Sequence, residues 1–271
     1  MTPPEARFTL NHVIAPRLGL ADFFALARSL GIDAVEIRND IAGNAILDGT
    51  PPGEVRRLAE AAGVTILSIN ALQRFDDWRG RRPIEALALA DYAQACGARA
   101  LVLVPTNDGS RPDRLLPALE GLRPLLQARG LIGLVEPLGF ETSALRRKAD
   151  AVAAIAAVGG ERVFRLVHDI FHHAISGETA VFPRETGLVH LSGVDDASLA
   201  TAGTRDAHRG LVTDADRLGN AAQLRALVAG GYDGPFSFEP FAEAVQALAD
   251  PGPAIRRSMD LLRDGLGVAA A

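Results

Sequence analysis

Short apolar runs alternate with longer amphipathic segments along the whole chain. Residues 8–14, 34–38, 64–70, 100–104, 131–136, 164–169, 187–192 and 236–239 are apolar runs of strand length. Most are continuous rather than alternating, as strands buried on both faces are. Helix-like segments lie between them at 21–30, 51–62, 83–95, 115–129, 145–158, 220–229 and 253–262, with a weaker one at 176–183. Glycines follow several of these, among them Gly31, Gly63, Gly97 and Gly130, where a left-handed residue commonly ends a helix. Pro51 and Pro52 suit a helix start. Pro117 and Pro124 predict that the fourth helix is irregular or split in two. Eight strand–helix units predict an α/β protein, and at this length a single (β/α)8 TIM barrel over residues 1–271 rather than a doubly wound sheet. The repeat is one of structure, not of sequence.

Composition narrows the function class. Of 271 residues, 48% are hydrophobic and 23% charged, enough for a sizeable core. The formal net charge of -5 argues against a general nucleic-acid binder. Cys96 is the one cysteine, so no intrachain disulfide forms; it falls in a helix-like run and reads as core filler. The first residues lack the apolar region of a signal peptide, and no segment reaches the ~20 apolar residues of a membrane span. The expectation is a cytoplasmic protein with neither nucleic acid nor membrane as a partner.

The candidate chemistry lies at the ends of the last four strands. Apolar runs end in Glu136, Asp169, His190 and Glu239, each followed by a helix-like segment. Any one of them alone is more often an ion-pair or core residue. Together they stand on consecutive strands ~4.8 Å apart, at the barrel face where active sites lie. Three carboxylates in one place repel unless a cation is present, and a buried unpaired carboxylate is costly. A divalent metal resolves both, and three oxygen donors with one imidazole suit Mn²⁺, Mg²⁺, Co²⁺ or Zn²⁺. His172, three residues past Asp169, is placed to reach a bound ligand. His168 points to the opposite face by strand alternation, and His173 reads as an outer-loop residue. Either Asn11 or His12 faces the barrel mouth. The connections 70–82 and 194–219 are the longest and are candidate lids.

This ligand set resembles that of the xylose isomerase-like barrels, the sugar isomerase/epimerase superfamily. There a metal is held by Glu, Asp, His and Glu from strands five to eight, matching Glu136, Asp169, His190 and Glu239, and the Asp-x-x-His pattern puts His172 on a substrate oxygen. Residues 11–12, 35–40, 68–75, 104–109, 208–212 and 216–220 resemble the inosose (2-keto-myo-inositol) isomerase-like branch. The resemblance implies a metal-dependent isomerase of a keto-inositol, acting by proton transfer through an enediolate. Glu136 and Glu239 would be the catalytic acid–base pair as well as ligands. Arg38, Gln73, His172 and Arg209 would bind substrate hydroxyls, and Phe75 or Trp78 would cover the ring. The sugar epimerases carry a substrate-contacting arginine close after the metal histidine; here the nearest are Arg205 and Arg209. The implied partner is a small polyol ketone, with a homodimer allowed for. The alternatives are a ketose 3-epimerase or a hydroxypyruvate isomerase-like enzyme. More remote is an endonuclease IV-like phosphoesterase, which would need more histidine ligands and a basic face.

Overall fold

The computed structural model describes residues 6–41, 46 and 48–267. The extreme N-terminus, which carries part of the signal-peptide reading, lies outside the described residues. Eight parallel strands pair in sequence order and close into a barrel. They are β1 (Phe8–Asn11), β2 (Ala34–Arg38), β3 (Thr65–Gln73), β4 (Ala100–Val104), β5 (Ile132–Val135), β6 (Phe164–Asp169), β7 (Thr186–Leu191) and β8 (Phe236–Phe238). Around them run α1 (Leu20–Ser29), α2 (Pro52–Ala62), α3 (Arg82–Cys96), α4 (Leu115–Gln127), α5 (Lys148–Ala157), α6 (Ile170–Ser176), α7 (Asn220–Ala229), α8 (Glu243–Gln246) and α9 (Gly252–Leu266). The fold is therefore the expected (β/α)8 barrel. No described helix is long and apolar enough to cross a membrane.

Local chemistry explains most of the boundaries. Gly63 and Gly97 end α2 and α3 at φ of 65° and 84°, a conformation that costs a Cβ-bearing residue. Four expectations are corrected. β1 stops at Asn11, because the Asn11 side chain accepts from the Val13 amide and turns His12–Ile14 into a 3₁₀ segment. α4 is one continuous helix: Pro117 lies in its first turn, where the amide has no partner to lose, and Pro124 is accommodated near its end. α5 begins at Lys148 rather than residue 145. The helix after β6 begins at once, at Ile170, and ends at Ser176, where the predicted segment 176–183 starts; the Asp169 carboxylate caps it by accepting from the His172 amide at 2.8 Å.

The apolar core is divided. The larger cluster packs the outward strand faces, such as Leu10, Val35, Ile37 and Val189, against the helices. A smaller one, including Val102, Leu134, Val167 and Leu188, fills one side of the barrel interior. Inward positions of β1, β2, β3 and β8 are instead polar: Asn11, Glu36, Arg38, Ser68, Asn70 and Ser237, all buried. Buried polar groups are costly unless they bond one another or a ligand, so this half of the interior serves the site above it.

A four-residue ligand cluster at the barrel mouth

Glu136, Asp169, His190 and Glu239 meet at the C-terminal ends of β5 to β8. One ligand atom from each lies within 4.8 Å of all the others, and all four residues are buried. Strand register sets this up: Asp169 pairs with His190 across β6 and β7. Glu136 and Glu239 each follow their strand by one residue and donate their amides to Leu103 and Leu191 carbonyls of the neighbouring strands. His190 Nδ1 is 2.9 Å from Glu136 Oε1, 3.2 Å from Glu239 Oε2 and 3.9 Å from Asp169 Oδ2.

Two arginines reach the same group. Arg209 Nη2 donates to Asp169 Oδ2 at 2.6 Å and to Glu239 Oε2 at 2.9 Å. Its Nε donates to Ser192 at 3.1 Å, and its plane lies 4.7 Å from the Phe241 ring centre and 5.1 Å from that of Phe171. Arg38 forks onto Asp40 with two 2.7 Å bonds and gives its remaining nitrogen to Glu239 Oε1 at 2.8 Å. Of the two arginines that follow His190, Arg209 is therefore the one that reaches the cluster; Arg205 donates to the Ala202 and Thr204 carbonyls.

The electrostatics separate the two glutamates. Burial raises Glu136 to about 7, with Glu239 and Asp169 adding to the effect and His190 opposing it. Burial pushes Glu239 the same way, but His190, Arg209 and Arg38 outweigh it and hold that carboxyl far below the usual range. The surrounding carboxylates, Glu239 first, overcome burial at His190 and raise it well above its usual value. A divalent cation would replace the proton that His190 holds among these acids. The donor chemistry therefore fits a metal, with Glu136, Asp169, His190 and Glu239 as its ligands.

Above the cluster opens a cavity of about 370 Å³. It is lined by Arg38, Gln73, His172 and Arg209, the four candidate substrate-binding residues, together with Asp40, Arg74, Asn107, Asp108 and the rings of Phe140 and Phe241. His172 is buried, and its Nδ1 has no hydrogen-bond partner among the described residues. Phe140 stands edge-on to it at 5.1 Å. Gly139 permits this approach, because a Cβ there would come within 2.3 Å of the His172 carbonyl oxygen.

Some expected roles move. Phe75 is fully buried and Trp78 packs over Gly121, so neither lines the cavity; Phe140 and Phe241 form its aromatic walls. His173 belongs to α6, with Nδ1 2.6 Å from Lys148 Nζ, rather than to an outer loop. His168 does face away, bonded to Gln223 at 2.9 Å. Asn11 is the member of its pair that faces the barrel, donating to Glu239 at 3.1 Å, while His12 turns outward to the Leu18 carbonyl. The sequence reading passed over Glu36, although alternation along β2 puts it on the same face as Arg38. It lies beneath His190, with Oε1 3.1 Å from Nε2.

A closed parallel barrel carrying a buried Glu/Asp/His/Glu cluster at its C-terminal face is the architecture of the sugar isomerase and epimerase barrels. Comparison with known families agrees: residues 24–265 match the model of the xylose isomerase-like TIM barrel, and the chain belongs to that family. A xylose isomerase domain containing protein from Salmonella typhimurium is 35% identical over 97% of this chain and 99% of its own, with a TM-score of 0.90. The IOLI protein, whose structure holds a zinc atom, superposes with a TM-score of 0.83 at 19% identity, over 96% of this chain and 98% of its own. An L-ribulose 3-epimerase gives 0.70 at 18% identity, over 97% of this chain and 95% of its own. A search of curated protein sequences finds no match.

Proposed function

We propose that the protein is a divalent-metal-dependent isomerase of a cyclic polyol ketone of the keto-inositol type. The observation that carries this reading is the four-residue cluster, with its ligand atoms within 4.8 Å of one another at the floor of the cavity. A bound ion supplies Lewis-acid stabilisation of the negative charge that develops on a ketone oxygen when the adjacent carbon is deprotonated. Glu136 and Glu239, both close to His190 Nδ1 at 2.9 and 3.2 Å, act as the proton-transferring pair. One removes the proton from the hydroxyl-bearing carbon next to the carbonyl to give the enediolate. The hydroxyl proton passes to the former carbonyl oxygen. The same or the other glutamate returns a proton to the former carbonyl carbon, which leaves the ketone on the neighbouring carbon. His172 offers its free Nδ1 to a substrate hydroxyl. Arg38, Gln73 and Arg209 take further hydroxyls, and Phe140 and Phe241 cover the apolar face of the ring. That the IOLI structure, which shares this fold, holds a zinc atom supports the metal reading.

The arginines favour an uncharged substrate. Arg38, Arg74 and Arg209 line the cavity, and each already faces a carboxylate: Asp40, Asp108 and Asp169 respectively. A carboxylate substrate such as hydroxypyruvate would have to displace one of these partners. The test is proton NMR of 2-keto-myo-inositol in D₂O with Zn²⁺-loaded protein and a chelator-treated control. Metal-dependent deuterium uptake next to the carbonyl, with a new keto-inositol appearing, is the expected result. Uptake without a new ketone would favour the 3-epimerase reading. No exchange in either sample, with turnover of an open-chain ketose, would overturn the keto-inositol assignment.

A further inference from the structure

We propose that Glu36 is the positioning residue of the metal centre: it locks His190 in the tautomer that offers Nδ1 to the ion. This rests on the metal reading above and extends it to a residue outside the ligand set. The three carboxylate ligands converge on the Nδ1 side of the His190 ring. On the opposite edge, Nε2 lies 3.1 Å from Glu36 Oε1 and 3.3 Å from Oε2. An ionised carboxylate only accepts hydrogen bonds. Nε2 must therefore carry the hydrogen and donate it, which leaves the lone pair of the neutral ring on Nδ1, among the ligands.

Glu36 is itself built into place. Ser237 Oγ donates to it at 2.5 Å and Ser68 Oγ at 2.6 Å, while Asn11 Nδ2 reaches it at 3.3 Å. These three partners stand on β8, β3 and β1, so the carboxylate is gripped from both strands that flank β2 and from β8, the strand beyond β1. It is completely buried, does not line the cavity, and bonds no arginine or lysine among the described residues. A residue needed only for packing would not carry a charge here, since a buried unpaired carboxylate is costly.

The Glu36 carboxylate also makes the imidazole a stronger ligand, as outer carboxylates do for metal-bound histidines.

The test compares wild type with Glu36→Gln in three readouts: metal affinity of the apo-protein by calorimetry with Zn²⁺, the visible spectrum of the Co²⁺ form, and long-range ¹H–¹⁵N NMR of the His190 ring. The expected result is a loss of affinity of about 10–100-fold, an intact Co²⁺ spectrum at saturation, and partial loss of the Nε2–H tautomer. Wild-type affinity together with an unchanged tautomer in Glu36→Gln would overturn the proposal. Should that variant not fold, Ser68→Ala/Ser237→Ala replaces it, with a loss of several-fold expected and unchanged affinity counting against the role. A wild-type protein that binds no divalent ion would sink the metal reading itself, and this role with it. Normal wild-type binding with an unaffected variant sinks only the role of Glu36.

Discussion

At the scale of single residues, the site turns on two glutamates made different by their neighbours. Glu239 accepts from Arg209, Arg38 and Asn11, so its charge is held by a fixed set of donors. Glu136 has His190 as its polar partner and sits near neutrality, raised to about 7 chiefly by burial. Exchange of Glu239 for Gln removes a ligand charge and a proton acceptor at once, while the amide keeps the volume. Turnover should fall by about 10²–10⁴-fold, the usual worth of a positioned acid–base group. The circular dichroism spectrum should be retained, because the surrounding strands are packed independently of this side chain. Turnover within a few-fold of wild type would remove Glu239 from the mechanism.

At the scale of elements, the loop after β7 has to bring Arg209 back over the barrel mouth. It does so through a two-bond antiparallel bridge: the Gly193 amide donates to the Gly210 carbonyl at 2.9 Å, and the Gly210 amide donates back at 2.8 Å. Phe241 and Ala242 amides then bond the Arg209 carbonyl, both at 2.8 Å. Gly193 permits the crossing, because a Cβ there would meet the Leu211 carbonyl oxygen at 2.7 Å and the Val212 Cα at 3.0 Å. Gly193→Ala should cost roughly 1–3 kcal/mol of overpacking, swing Arg209 off Asp169 and Glu239, and lower kcat/KM by about 10-fold or more. Unchanged kinetics would show that Arg209 reaches its place without this bridge. The sequence could not announce such a device, because it depends on two glycines meeting in space. What it did show follows periodicity and strand ends. β2, β4, β6 and α7 coincide with their expected limits, and the four proposed ligands were legible because each closes an apolar run. Glu36 was missed because it sits mid-strand, where a charge reads as an interruption. α6 was missed because its cap is Asp169 itself, already assigned to the metal. Phe140 and Phe241 lie just past Glu136 and Glu239, but only the fold shows that they, and not Phe75 or Trp78, turn towards the ligand.

At the scale of the whole molecule, the barrel buries neutral imidazoles that the unfolded chain would protonate, and this ties stability to pH. His12 is the cleanest case. It opens the 3₁₀ segment after β1, lies 4.3 Å from the Phe23 ring of α1 in a stacked arrangement, and bonds the Leu18 carbonyl through Nε2 at 2.9 Å. Burial lowers it from 6.5 to about 4, Arg38 adding to the shift and the Leu18 bond opposing it. Between those two values the unfolded state binds more protons than the folded state. The contribution of His12 is therefore complete above its unfolded pKa and is lost progressively as pH falls towards 4. Burial lowers His168, His172 and His173 as well, so total stability does not isolate it. The difference between wild type and His12→Gln does, because the amide of Gln can still donate to Leu18 and carries no titrating proton. In urea unfolding of the metal-free protein, the advantage of wild type over His12→Gln should shrink by about 1 kcal/mol between about pH 7.5 and about pH 5.5. A difference that stays constant over that interval would mean that His12 charges as freely in the folded barrel as in the unfolded chain. In that case the first strand–helix junction is more open to water than its stacking against Phe23 implies.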